Sequence, residues 1–301
     1  MKRKWMPIGG LLLLSLLWAA GWVRADLFPG PGPGVKLGPL ESEAAVLGVF
    51  AGLSGLALVR RSKWPGGRFA GRAVLAGLGL FVLPTILAES TRNWVGDSTR
   101  VAFFSLTPLF AIVFEPHLGI GNEKSQEARG LSAALLGAAG TLLIFPVEVP
   151  HSYASAFALA GLLCAAATAA AGNCVGVRIA RECGSLATLS TVTCGSAAFL
   201  LGLLGLALHQ KEAAGLKVDL WAIADLLALA LLFWLMRRMS APQMTTRFLI
   251  APLIANVISL AFLRPHLEVQ AWAGLLMITV GSGWMLFAGS GERAKTMLDL
   301  D

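Results

Sequence analysis

The sequence predicts an all-α integral membrane protein of ten transmembrane helices, arranged as two inverted five-helix repeats. Three observations carry that expectation. The 301 residues are 56% hydrophobic and only 14% charged, with a mean hydropathy of +0.72. Soluble domains carry about 25% charged residues. The apolar residues fall into ten runs with short polar connectors, and Gly and Pro landmarks of the first half recur in the second.

The runs cover about 7–23, 40–59, 72–89, 98–116, 129–146, 154–177, 184–208, 219–236, 244–263 and 270–288. A spanning helix takes about 20 apolar residues, so ten consume about 200 positions and leave no room for a soluble domain. The first run follows Lys2-Arg3-Lys4 and ends near Val23-Arg24-Ala25, a pattern shared with cleaved signal peptides. Trp18 and Trp22 spoil the small-residue approach to a cleavage site, and the repeat needs this helix, so it is read as a retained first span. The connector 24–39 contains Pro29-Gly30-Pro31-Gly32-Pro33-Gly34 and cannot be helical. The second run carries Gly48-x3-Gly52 and the sixth Gly172-x3-Gly176, spacings that let helices approach closely. The fourth and ninth contain Pro108 and Pro252, and the fifth and tenth contain glycines at matching places.

The net charge of +7 would suggest nucleic acid in a soluble chain. In a membrane chain it reports topology. With the N-terminus inside, sixteen Lys and Arg fall in cytoplasmic segments and six in outer ones. That asymmetry is the positive-inside pattern. Arg293 and Lys295 place the C-terminus on the same side, which requires an even number of spans. The expected location is the cytoplasmic membrane with both termini cytoplasmic, the lipid bilayer as surroundings and no nucleic-acid partner.

Pro108 and Pro252 are 144 residues apart, in Thr-Pro-Leu-Phe-Ala and Ala-Pro-Leu-Ile-Ala. Gly130 and Gly274, and Gly137 and Gly281, share that separation. The halves are therefore 1–150 and 151–301. Five helices is an odd number, so the second half enters from the opposite face, as in many secondary transporters.

Several of these residues carry a family resemblance. Thr-Pro-Leu-Phe at 107–110, Gly-Asn-Glu-Lys at 121–124 with the Gly-x6-Gly helix after it, Trp18-Ala-Ala-Gly21 and Ala251-Pro-Leu253 together resemble the EamA type of the drug/metabolite transporter superfamily. The resemblance spans roughly 7–288. It implies ten helices in two inverted repeats, cytoplasmic termini and a small-molecule substrate: amino acids, nucleosides, sugars or drugs across the family. Arg264-Pro265-His266-Leu267 stands where the family often has a Gly-Glu-Arg-Leu turn. Small relatives that couple efflux to protons use a glutamate in the first helix, and residues 7–22 hold no acid.

The candidate pathway residues are Trp18, Arg100, Asn173, Asp225, Arg247 and Asn256. Ionisable groups inside spans are costly and mark pathways. Arg100 and Arg247 either hold an anionic group, which guanidinium does bidentately, or snorkel to the headgroups. Asp225 suits a salt bridge, a substrate amine, a proton or a shallow wet position. Asn173 and Asn256 need hydrogen-bond partners in hydrocarbon. On a straight helix Thr245, Pro252, Asn256 and Ser259 share a face, with Arg247 opposite; Asn256 is read as the pore-facing one. Trp18, Trp22 and Trp234 are cavity candidates, while Trp5, Trp64, Trp94 and Trp221 suit interfacial anchoring. Glu89, Arg92, Asp97 and Arg100 form an outer cluster that either gates or is simply solvated.

Cys164, Cys174, Cys183 and Cys194 form no CxxC pair, and the four histidines sit singly. No metal site, disulfide framework, cofactor or enzyme activity is expected. The expected function is a secondary transporter moving small metabolites or drugs by alternating access, in the direction of export. The alternatives are a non-transporting membrane scaffold or regulator of the same fold, or a membrane-embedded enzyme.

Overall fold

The computed structural model describes residues 2–27, 35–59, 66–118, 124–208, 214–216, 220–263 and 268–288. Among these the chain is helical apart from one small ribbon. The helices, in order, are α1 Lys2–Leu27, α2 Pro39–Val59, α3 Gly67–Ser90, α4 Asp97–His117, α5 Lys124–Ile144, α6 Tyr153–Glu182, α7 Leu186–Ala207 and α8 Leu220–Met236. Next come α9, in two pieces (Ala241–Thr245 and Arg247–Leu263), and α10 Val269–Ala288. The ten expected helices are thus present. The Pro/Gly repeat at 29–34, the Gly121-Asn122-Glu123 part of the loop motif, Arg264–Leu267 and the C-terminal tail lie outside the described residues.

Seven helices (α2, α3, α4, α6, α7, α9 and α10) are long and apolar enough to cross a membrane. The apolar stretches of α1, α5 and α8 are shorter: Trp5–Gly21, Arg129–Ile144 and Ile223–Met236. Large apolar side chains cover the outside, with Val59, Phe157, Phe199, Leu206 and Leu276 all exposed. Water would oppose such a surface and lipid tails do not, so this is the exterior of a membrane protein.

Several helices run past the apolar run that announced them. The sixth run ends near 177, yet α6 continues through Arg178 and Arg181 to Glu182. Hydropathy marks the part of a helix suited to hydrocarbon, and the backbone stays helical where polar side chains begin. Caps then set the starts: Ser152 accepts from the Ser155 amide before α6, and Ser240 from the Gln243 amide before α9. Each satisfies an amide that the first helical turn leaves without a partner.

Three helices are interrupted. In α3, residues Leu78–Val82 form a π-turn, with the Leu83 amide donating to the Leu78 carbonyl. Pro84 follows at once; it has no N–H for the Leu80 carbonyl four residues back, and its ring crowds that carbonyl. Helix α4 breaks at Ser105–Leu106, just before Pro108, and α9 breaks at Thr246, six residues before Pro252.

Helix α2 packs along α7 and α5 along α10; α1 lies against α8 and α9, and α6 against α3 and α4. Glycine permits the closest approaches. A Cβ on Gly172 of α6 would collide with the backbone of Gly79 in α3, and one on Gly140 of α5 would stand 2.7 Å from the Gly274 carbonyl oxygen of α10. Gly274 therefore faces Gly140 rather than its sequence counterpart Gly130, which lies near Ile112. Gly52 was expected to serve close packing, but nothing lies within 4 Å of where its Cβ would be; Gly48 alone of that pair faces α7, at Ala198. The ribbon pairs β1 (Val35–Leu37) antiparallel with β2 (Ala214–Leu216), joining the α1–α2 connector to the α7–α8 connector.

Candidate functional site

The break in α9 builds the most unusual site. Ser240 and Pro242 start the helix, and the Thr245 and Thr246 hydroxyls donate back to the carbonyls of Ala241 and Pro242 at 3.0 Å. Such back-bonding bends a helix. At Thr246 the backbone stays right-handed (φ −56°, ψ −20°) but its carbonyl takes the Leu249 amide as well as that of Ile250, a tightened turn before Arg247, about 9 Å of helix from the start. Arg247 therefore points into the bundle. It is 2% exposed and is the one charged residue among the buried described residues.

Its guanidinium is held on several sides. Nη1 donates to Asn173 Oδ1 at 3.1 Å and to the Met244 carbonyl at 3.4 Å. Asn173 Nδ2 donates in turn to the Ala169 carbonyl of its own helix at 2.7 Å, which turns the amide oxygen toward the arginine. The guanidinium carbon lies 4.9 Å from the ring centre of Trp18 and 4.8 Å from that of Phe248. A desolvated cation on an aromatic face gains about 2 kcal/mol. The rings form a chain: Trp18 to Phe248 at 5.7 Å, and Phe248 stacked on Phe104 at 5.9 Å. Nε is buried and has no hydrogen-bond partner. None of the ion pairs among the described residues includes Arg247.

Four helices meet here. Helix α1 brings Trp18, α6 brings Asn173, α9 brings Arg247 and Phe248, and α4 brings Phe104 beside its own break. At that break Ser105 and Thr107 donate to the carbonyls of Ala102 and Phe104, at 2.6 and 2.7 Å. The two interrupted helices thus share one local chemistry: hydroxyl back-bonding with a proline beyond it.

Of the six candidates, Trp18, Asn173 and Arg247 come together and the others stand apart. Arg247 does not snorkel. Arg100 lies near the start of α4, pairs with Asp97 at 3.0 Å and donates to the Ala88 carbonyl of α3. Asp225 is exposed on α8 and interacts electrostatically with Glu43 of α2. Asn256 is partly buried and donates to the Pro252 carbonyl of its own helix at 2.9 Å, about 13 Å of rise beyond Arg247. In the outer cluster, Arg92 pairs with Glu89 at 3.3 Å. Both pairs are local, three residues apart, and neither joins one helix to another. Trp234 packs over Gly10 of α1 and under Arg238. Sequence reasoning missed Phe104, Phe248 and Glu43. Phe248 had a signal in standing next to a candidate arginine; Phe104 had none beyond hydrophobicity.

Nearer the chain's charged helix ends, α6 is tied to three neighbours. Glu182 pairs with Arg72 of α3 at 2.8 Å, Arg178 donates to the Leu118 carbonyl ending α4 at 2.6 Å, and Arg181 donates to the Met239 carbonyl between α8 and α9 at 3.1 Å. At the opposite end a concavity of about 300 Å³ is lined by Trp94, Glu148, His151 and Ser155 among others. The Arg247 cluster contributes nothing to it. Among the described residues no group of His, Cys, Asp and Glu is placed to hold a metal ion.

No family model matches the chain, and no curated protein matches it. Solved structures do: 29 chains match. One, described as "Crystal structure of protein", has a TM-score of 0.70 and 14% identity, covering 93% of this chain and 98% of its own. At that identity the likeness carries the fold, and it extends over essentially the whole chain.

Proposed function

We propose that this protein is a secondary transporter, moving small metabolites or drugs across the cytoplasmic membrane by alternating access, in the direction of export and with both termini in the cytoplasm. The observation that carries the reading is the buried guanidinium of Arg247, without an ion pair among the described residues, where two interrupted helices meet. Intramembrane cations are expensive, and broken helices are how transporter folds build midplane sites.

The packing supports an inverted repeat. Replace each helix by the one five places on, and α1 against α9 becomes α6 against α4; α1 against α8 becomes α6 against α3. The α2–α7 and α5–α10 pairs map onto themselves. A pseudo-two-fold axis has this effect, and five helices to each half, an odd number, favour one lying in the membrane plane. Together with the motifs quoted above, it favours assignment to the EamA type of the drug/metabolite transporter superfamily. The ties from Arg178, Arg181 and Glu182 then close the cytoplasmic end, on the side of Arg247 opposite the outer concavity. No ATP-binding motif is present in the sequence, so flux runs on a gradient.

Reconstitution into proteoliposomes tests this. Counterflow measured against a panel of amino acids, nucleosides, sugars and drugs is expected to show saturable flux of at least one class. Monodisperse, folded protein that moves none of them would favour a scaffold.

A further inference from the structure

A single buried positive charge, an aromatic wall and an unfilled donor define a ligand class. Among the described residues only neutral acceptors (the Asn173 amide oxygen and the Met244 carbonyl) meet the Arg247 guanidinium, and both use Nη1. Nε is left without a partner. Burying a charge costs several kcal/mol unless an opposite charge or full hydrogen bonding offsets it; apolar residues would fill the same space more cheaply. Guanidinium presents its donors as planar forks that match a carboxylate, and the edge bearing Nε is the one the protein leaves unmatched. Beside it lie Trp18, Phe248 and Phe104, with centroid separations of 5.7 and 5.9 Å. Those rings add apolar surface beside the guanidinium and no further charge.

We propose that Arg247 binds the carboxylate of a monoanionic organic compound whose apolar, preferably aromatic, body packs against Trp18, Phe248 and Phe104. One cation neutralises one negative charge. A phosphate dianion would leave one charge buried, which disfavours it. Asn173 positions the guanidinium, holding Nη1 at 3.1 Å while the group lies on the Trp18 and Phe248 rings. The transporter reading makes this compound the substrate; the binding itself does not depend on that reading.

The test measures binding to the purified full-length protein in detergent, by thermal shift and calorimetry. The probes are hippurate, 4-hydroxybenzoate and indole-3-acetate, each beside its neutral amide, with phenyl phosphate as the dianion. At least one acid is expected to bind, its amide and phenyl phosphate at least ten-fold more weakly. Arg247→Gln should weaken the acid by about 10–100-fold, the range of a lost charged hydrogen bond. Because that variant risks misfolding, Asn173→Asp serves as a second. It gives the guanidinium an internal carboxylate, so it should fold at least as well and still lose the acid. Acids and amides binding alike, no acid binding, or undiminished binding in folded Asn173→Asp would each overturn the proposal. Counterflow of radiolabelled hippurate in proteoliposomes separates the two readings. Arg247-dependent binding without flux overturns transport and leaves the carboxylate site standing. Flux of neutral or cationic solutes without Arg247-dependent binding of any acid overturns the carboxylate site and leaves transport standing.

Discussion

Gly281 of α10 rests directly on Gly137 of α5: a Cβ on Gly281 would stand 2.6 Å from the Gly137 amide nitrogen and 2.6 Å from the Ala133 carbonyl oxygen. The two glycines occupy the same place in the two halves of the sequence, and here they touch. Backbone atoms cannot move aside as a flexible side chain can. Gly281→Val should therefore push α5 and α10 apart and cost about 1–3 kcal/mol, as overpacking does. Gly283→Ala, with nothing within 4 Å, should be nearly neutral. Thermal unfolding of the two variants in the same detergent makes the comparison; equal midpoints would mean the crossing is looser than described.

The Arg247–Asn173 hydrogen bond predicts energetic coupling. Asn173→Leu removes the side-chain acceptor on a buried cation and should cost about 1–3 kcal/mol. Arg247→Met removes the cation, and with it the need for that acceptor. The double variant should lose less than the sum of the two, by about 1–2 kcal/mol. Chemical unfolding of the four proteins measures the cycle, and additivity within about 0.5 kcal/mol would show that the contact carries no energy.

Arg100 provides the contrast. Its partner Asp97 has a side chain 92% exposed, against 18% for Arg100. Exposed ion pairs contribute about 0–1 kcal/mol, so Asp97→Asn should hardly move the unfolding midpoint. Arg100→Ala also strips the Ala88 carbonyl of a donor that ties α4 to α3, and should cost about 1–2 kcal/mol. An Asp97→Asn effect as large as that of Arg100→Ala would place the energy in the ion pair instead.

Orientation is open to a thiol reagent. Cys183 sits in the turn between α6 and α7, half-buried, while Cys164, Cys174 and Cys194 lie within those helices. A membrane-impermeant maleimide should modify Cys183 in inverted vesicles and leave it untouched in right-side-out ones. Cys164 is exposed on the outside of α6, where lipid should shield it from the reagent in both. Mass spectrometry of the four peptides reads the result, and modification of Cys183 from outside would reverse the proposed topology.

The helices were legible in the sequence because hydropathy and helix length are local properties. The assembly of the site was legible only in part. Trp18, Asn173 and Arg247 announced themselves as polar or aromatic groups in apolar runs, but their meeting depends on how α1, α6 and α9 cross. Asn256 was preferred over Arg247 by the geometry of a straight helix. Thr246 interrupts that helix one residue before Arg247, and a Thr-Thr pair is a weak local signal beside Pro252. Gly79 was passed over because its partner Gly172 lies 93 positions away in sequence, and no local pattern connects them.

The π-turn in α3 has a consequence for the rest of that helix. On its near side Gly77 abuts the Thr193 carbonyl of α7; two residues later Gly79 abuts Gly172 of α6. An α-helix advances about 100° per residue, and a five-residue turn admits one residue more than regular winding would. The outer segment from Leu83 to Ser90 is thus rotated by about that angle from where an unbroken helix would carry it. Gly77 and Gly79 reach different neighbours because two residues already turn a helix by about 200°; the offset acts on the segment beyond them. Loss of a single residue from 78–82 would undo the offset and present to α6 a face of the outer segment turned by about 100°.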